Sequence, residues 1–173
     1  NPWNTSVQYK TNIVDRDTFG VNTGFTASYH FTVKGRFDYS SLKAVVERPH
    51  LWSVALNGYE IKPEEGKWWL DRNFSVFSIG KLVKEGENTI TLKTSPMKIH
   101  AEVEPVYILG DFSVEPVARG FILKAPLSKL TTGSWLTQGL PFYSWGVTYS
   151  KDFTVDKPEG KYEVALGEWK GTI

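Results

Sequence analysis

The sequence predicts an all-β fold, built as a β-sandwich. Three observations predict it. Apolar and polar residues alternate with period two in one segment after another, the pattern of strands with one face in a core and one in water. Gly, Pro and Asn punctuate these segments at short intervals. No stretch sustains the 3.6-residue period of an amphipathic helix. Many short strands separated in this way pack as facing sheets.

Residues 1–24 read as a lead-in strand or linker, and 25–173 as the sandwich. In Phe25-Thr26-Ala27-Ser28-Tyr29-His30-Phe31-Thr32-Val33 every odd position is apolar, which predicts a half-buried antiparallel strand. Trp52–Leu56 predicts another, closed by the tight-turn pair Asn57-Gly58. Phe77–Ile79 is a short strand. Lys81–Gly86 is about one helical turn, stopped by Gly86. Asn88–Leu92 alternates again, and so does Met97–Val103, with Lys98, His100 and Glu102 on its outer side. Val106–Leu109, Gly120–Leu123, Trp145–Val155 and Tyr162–Leu166 complete the series. A weak repeat runs through it. Tyr29 and Phe31-Thr32-Val33 lead to Lys43–Val46 and Trp52; Tyr149 and Phe153-Thr154-Val155 lead to Tyr162–Leu166 and Trp169. Residues 140–173 are therefore expected to begin a truncated second sandwich or to fold back on the first, with Trp52 and Trp169 in core positions.

Composition narrows the function. The 173 residues are enough for one domain with a real core. Twenty basic and 19 acidic residues leave a net charge of +1, which argues against a nucleic-acid footprint. Absence of cysteine excludes disulfides, thiol catalysis and zinc–thiolate sites. No apolar run reaches membrane-spanning length, and the opening Asn1–Lys10 does not read as a signal peptide. The unusual figure is 14% aromatic residues, with seven Trp and eight Tyr. Aromatic rings pack cores, and they also stack on the apolar face of a pyranose.

Taken in order, Asn57-Gly58, Trp68-Trp69-Leu70-Asp71 and Gly86-Glu87-Asn88-Thr89-Ile90 carry a resemblance. So do Glu104–Phe112 ("EPVYILGDF") and Gly133–Tyr143 ("GSWLTQGLPFY"). Over residues 25–173 the chain resembles the galactose-binding-like jelly-roll domain of family 2 glycoside hydrolases. It resembles more closely the C-terminal β-sandwich region of bacterial α-L-rhamnosidase-like glycoside hydrolases. Trp145 departs from the pattern, standing where relatives more often carry a small residue. The resemblance implies a non-catalytic accessory module, because that family's catalytic acids lie in a separate barrel. It also implies a carbohydrate ligand, a parent catalytic domain as partner, pectic plant glycans as the target, and a periplasmic, secreted or cell-surface location.

Catalytic constellations are sparse. Glu102 and Glu104 are the tempting carboxylate pair, since alternate residues of a strand lie about 6.5–7 Å apart on one face and glycosidases need about 5–10 Å. A solvated outer face explains them equally. Asp71 and Asp111 sit in motifs that look structural, Asp71 as an acceptor for turn amides. His30, His50 and His100 lack ligand spacing and read as surface residues. No metal or cofactor is assigned, although hard oxygens in sandwich loops could hold a structural calcium.

A sugar site needs an exposed ring beside planar hydrogen-bonding groups, with Arg or Lys where the sugar is acidic. "GKWWLDRNF" supplies Lys67, Trp68, Trp69, Arg72 and Asn73 within nine residues, and Tyr59 could border it. Trp135, Gln138, Tyr143 and Trp145 form a second cluster, which loop convergence could bring to the first. Because neighbouring strand residues point to opposite faces, one Trp of the pair should pack inward and the other face water, with Trp145 its rival as a ligand platform. Each ring is open to a plainer reading as a plug for the sandwich end. The chain therefore reads as a carbohydrate-binding module, against a structural module that packs on a catalytic domain and, more remotely, a small hydrolase.

Overall fold

The structure, a computed structural model, describes residues 19–165 and 167. Among these residues the regular structure is almost wholly β. The strands are β1 (Phe25–Lys34), β2 (Lys43–Glu47), β3 (Ser53–Leu56), β4 (Tyr59–Glu60), β5 (Trp68–Trp69), β6 (Asp71–Ser78), β7 (Gly86–Thr94), β8 (Tyr107–Leu109), β9 (Ser113–Pro116) and β10 (Phe121–Lys124). One 3-10 turn, Pro49–Leu51, leads into β3. Among the described residues no helix is long and apolar enough to cross a membrane. Six strands form one sheet in the order β4-β3-β7-β1-β10-β9, and four form the other in the order β5-β6-β2-β8.

The alternation read from the sequence is the alternation that packs. In β1 the odd positions from Phe25 to Val33 are half-buried or buried, and Thr26, Ser28 and His30 are exposed. In β7 the residues Asn88, Ile90, Leu92 and Thr94 are buried. The core joins the two sheets: Val33, Val54, Leu56, Ile90, Leu92 and Leu123 come from one, and Ala44, Val46 and Phe77 from the other, with Leu42, Ile79 and Val83 from connections. Each such aliphatic or aromatic side chain is worth roughly 1.5–3 kcal/mol on burial, so the facing sheets hold each other.

Asn57 and Gly58 form the expected two-residue hairpin between β3 and β4, with φ of 52° and 86°. The Asn57 side chain does more than turn. Its Nδ2 donates to the Leu82 carbonyl and to Asn88 Oδ1, both at 2.9 Å, and its Oδ1 accepts the Thr89 amide at 3.0 Å. Asn88 is fully buried; it donates to the Lys84 and Gly86 carbonyls and accepts the Lys84 amide. This clasp holds the single turn before β7, in which the Leu82 and Val83 amides donate to the Ile79 carbonyl. Gly86 follows at φ 89°. Gly80 serves close packing, since a Cβ there would lie 2.1 Å from the Tyr39 carbonyl oxygen.

Several expectations need correction. Met97–Val103 is not a strand: it follows β7 as a turn closed by the Ala101 amide on the Lys98 carbonyl, and then runs irregularly. Among the described residues no strand pairs with it. Trp145–Val155 and the described part of Tyr162–Leu166 also lack strands. Their alternation likewise finds no ladder, so the fold offers no second sheet there among the described residues. Leu166 and Trp169 lie outside the described residues. Trp52 is half-buried at the margin of the core, edge-on to Phe25 at 5.6 Å. By contact the chain divides into two compact units, one ending at Tyr143 and one beginning at Ser144. All ten strands belong to the first.

Candidate functional site

The two adjacent tryptophans part company at the β5–β6 hairpin. Trp68 pairs with Ser75, Trp69 pairs with Asp71, and the register shifts between them. Such a bulge re-aims side chains. Leu70 forms the tip at φ 65°, a left-handed conformation that costs a non-glycine residue about 1–2 kcal/mol. Asp71 braces the tip by accepting the Asn73 amide at 2.7 Å, the role expected of it. Trp69 packs onto Tyr107 with ring centroids 5.0 Å apart, and Phe74 meets the same tyrosine at 6.4 Å. Trp68 is 54% exposed and makes no ring contact among the described residues. It is therefore the water-facing member of the pair.

Trp68 lines an open depression of about 520 Å³ with Pro63, Glu64, Glu65, Gly66, Lys67, Arg72 and Ser75. That volume falls in the range of small-ligand sites, about 300–1,000 Å³. One wall is the segment 63–67, which lies along β6: the Glu64 amide donates to the Val76 carbonyl at 2.8 Å, and the Lys67 amide to the Glu64 carbonyl at 3.2 Å. A side-chain triad fixes this wall. Lys43 Nζ on β2 donates to Glu64 Oε1 at 2.7 Å and to Ser78 Oγ, and Ser78 Oγ also donates to Glu64 Oε1 at 2.7 Å. These bonds, first that from Lys43 and then that from Ser78, hold the Glu64 carboxyl below the usual carboxylate range. The nearby charges of Lys43 and Lys67 add to the effect.

Of the residues singled out in the sequence, Lys67, Trp68 and Arg72 meet in this depression. Trp69 stands in the aromatic cluster on Tyr107. Asn73 is exposed on β6 outside the lining, its amide bonded to Asp71 and its carbonyl to the Arg48 amide. Tyr59 is 65% exposed on β4, an edge of the six-stranded sheet, and does not line the depression either. Trp135, Gln138 and Tyr143 of the second cluster do not line this depression. Trp135 and Tyr143 face each other at 6.1 Å in a loop whose Gly139 carbonyl accepts the Val114 amide of β9, on the other sheet. Gln138 is a brace of that loop: its Oε1 accepts the Thr131 amide and hydroxyl, and its Nε2 donates to the Thr131 and Ser134 carbonyls. Trp145, 78% exposed, belongs to the second unit.

Glu64, Glu65 and Ser75 were missed. Pro63-Glu64-Glu65-Gly66 carries a turn signature that places acids beside Lys67. Nothing local in the sequence tells that this turn lies along β6.

The Glu102–Glu104 pair does not sit on a strand. With His100 it lines a cavity of about 10 Å³, room for one water and none for a sugar ring. Glu104 contributes its carbonyl to the Tyr29 hydroxyl at 2.6 Å. Among the described residues no group of three or more His, Asp or Glu side chains is placed to hold a metal ion. No protein-family model, no curated protein and no solved structure matches the chain.

Proposed function

We propose that the chain is a non-catalytic carbohydrate-binding module. In this reading it is an accessory part of a bacterial glycoside hydrolase that degrades plant pectic glycans in the periplasm, in secreted form or at the cell surface. Its two-sheet sandwich is assigned to the galactose-binding-like jelly rolls on the motif resemblance in "GKWWLDRNF", "EPVYILGDF" and "GSWLTQGLPFY". The observation that carries the reading is Trp68: a largely exposed indole inside an open depression, beside Lys67, Arg72 and Ser75. An indole face matches the C–H face of a pyranose, and flanking donors match its hydroxyls. Calorimetry with pectic fragments tests it. Binding is expected to weaken at least about tenfold in Trp68→Ala, equivalent to about 1.4 kcal/mol. Unchanged affinity in that variant overturns the assignment of the site.

A second reading rests on a different feature. Phe121 and Phe142 lie edge to face at 4.8 Å yet are 40% and 71% exposed. A sandwich that packs on a catalytic domain without binding a ligand would use such apolar surface. That reading stands if no glycan binds while the neighbouring catalytic domain loses stability without this module.

A further inference from the structure

We infer that the Trp68 depression selects a carboxylated sugar, a uronate residue, and that Arg72 and Lys67 read its carboxylate while the indole carries its ring. This rests on the carbohydrate-binding reading and goes beyond it by assigning the charge of the ligand and the residues that sense it.

Charge in the depression is only partly matched. Four charged side chains line the depression: Glu64, Glu65, Lys67 and Arg72. Glu64 is already matched, by the Lys43 ammonium at 2.7 Å and by the Ser78 hydroxyl. Among the described residues neither Arg72 nor Lys67 forms an ion pair or a side-chain hydrogen bond. Arg36 and Arg48 do meet carboxylates, Glu85 and Glu47, whereas Arg119, like Arg72, forms no ion pair among the described residues. The Lys67 charge also acts on Glu64, and the five groups Lys43, Glu64, Glu65, Lys67 and Arg72 together leave a balance of one positive charge at the depression. A guanidinium takes a carboxylate through two parallel hydrogen bonds, and an ammonium adds a point charge. Glu65 is left to accept hydroxyl protons from the ring. A neutral sugar would meet the same indole and leave both cations unmatched.

Methyl esterification provides the test, because it removes the charge of a uronate and keeps the ring. Affinities of the full chain are measured for an oligogalacturonide as the free acid and as its methyl ester, at low and high salt. The free acid is expected to bind at least about tenfold tighter, the scale of one charge-assisted bond, with the advantage shrinking as salt rises. Arg72→Gln and Lys67→Gln are expected to weaken binding of the acid more than of the ester and so to erode the preference. Both side chains are exposed, so an unaltered melting temperature certifies the fold. Equal affinity for acid and ester overturns the inference and leaves the sugar-binding reading intact, provided Trp68→Ala still weakens both. Failure of both forms to bind overturns both.

Discussion

Trp68 and Trp69 are neighbours in the chain, and their substitutions should fail in different ways. Trp68→Ala is expected to lose ligand and keep its melting temperature. Trp69→Ala, which removes a ring packed at a tilt on Tyr107, is expected to cost about 1–3 kcal/mol of stability, read as a lower midpoint in urea. Glu64 gives a pH-dependent test of the wall it anchors. Its folded pKa lies below the ordinary carboxylate value because Lys43 and Ser78 bond to the anion. A lowered folded pKa stabilises the fold above the unfolded pKa, about 4.3, and the contribution drains away as pH falls through the folded value. The fall in melting temperature over that acid window should therefore be shallower in Glu64→Gln than in the parent. It should not vanish, since Asp38 and Glu115 are also held low, by Ser40 and by Lys124 with Lys34. At this scale the sequence was informative about kind and poor about direction. Two adjacent indoles had to diverge, but which one met water depended on a bulge and on Leu70 at positive φ. Neither carries a local signature.

The strands were legible wherever alternation had a partner. Phe25–Val33 and Asn88–Leu92 were readable because their partners are each other: β1 and β7 pair along nine residues. Met97–Val103 alternates as well as either, but among the described residues no strand pairs with it, and the chain turns at Lys98 instead. β9 escaped notice because Ser113-Val114-Glu115-Pro116 is short and ends in proline. Gly86-Glu87-Asn88, one of the segments that carry the family resemblance, is a motif of construction. Asn88 is buried with every polar atom of its side chain bonded. Asn88→Ala should cost about 1–3 kcal/mol for each partner left unsatisfied in the interior. Asn88→Asp should fare no better, since it would lose the two bonds donated by Nδ2. Equilibrium unfolding of the two variants checks this. Glycan affinity should be untouched by either where the fold persists.

Across the molecule the decisive pairings are remote in sequence. β1 sits between β7 and β10, so forming the centre of the larger sheet joins residue 25 to 94 and residue 34 to 124. Loop closure over such separations must precede the contacts that reward it. Refolding should therefore fall in the millisecond-to-second range of non-local β folds, which stopped-flow tryptophan fluorescence can time. Sheet order was the least legible property for the same reason. Strand patterns say which residues face inward, and nothing in a single strand names its neighbour. The composition of the depression was hidden likewise, because Pro63–Lys67 acquires its meaning only by lying along β6.

The same arrangement bears on force. β1 and β10 run parallel, in register from Thr32–Ile122 to Lys34–Lys124, with Glu115 bridging Lys34 and Lys124 across their ends. Tension applied before Phe25 and after Lys124 would pull these two strands in opposite senses along their length. Their hydrogen bonds would then be loaded together, as a clamp in shear, rather than peeled one at a time. Under such a load this sandwich should hold better than its equilibrium stability alone would forecast.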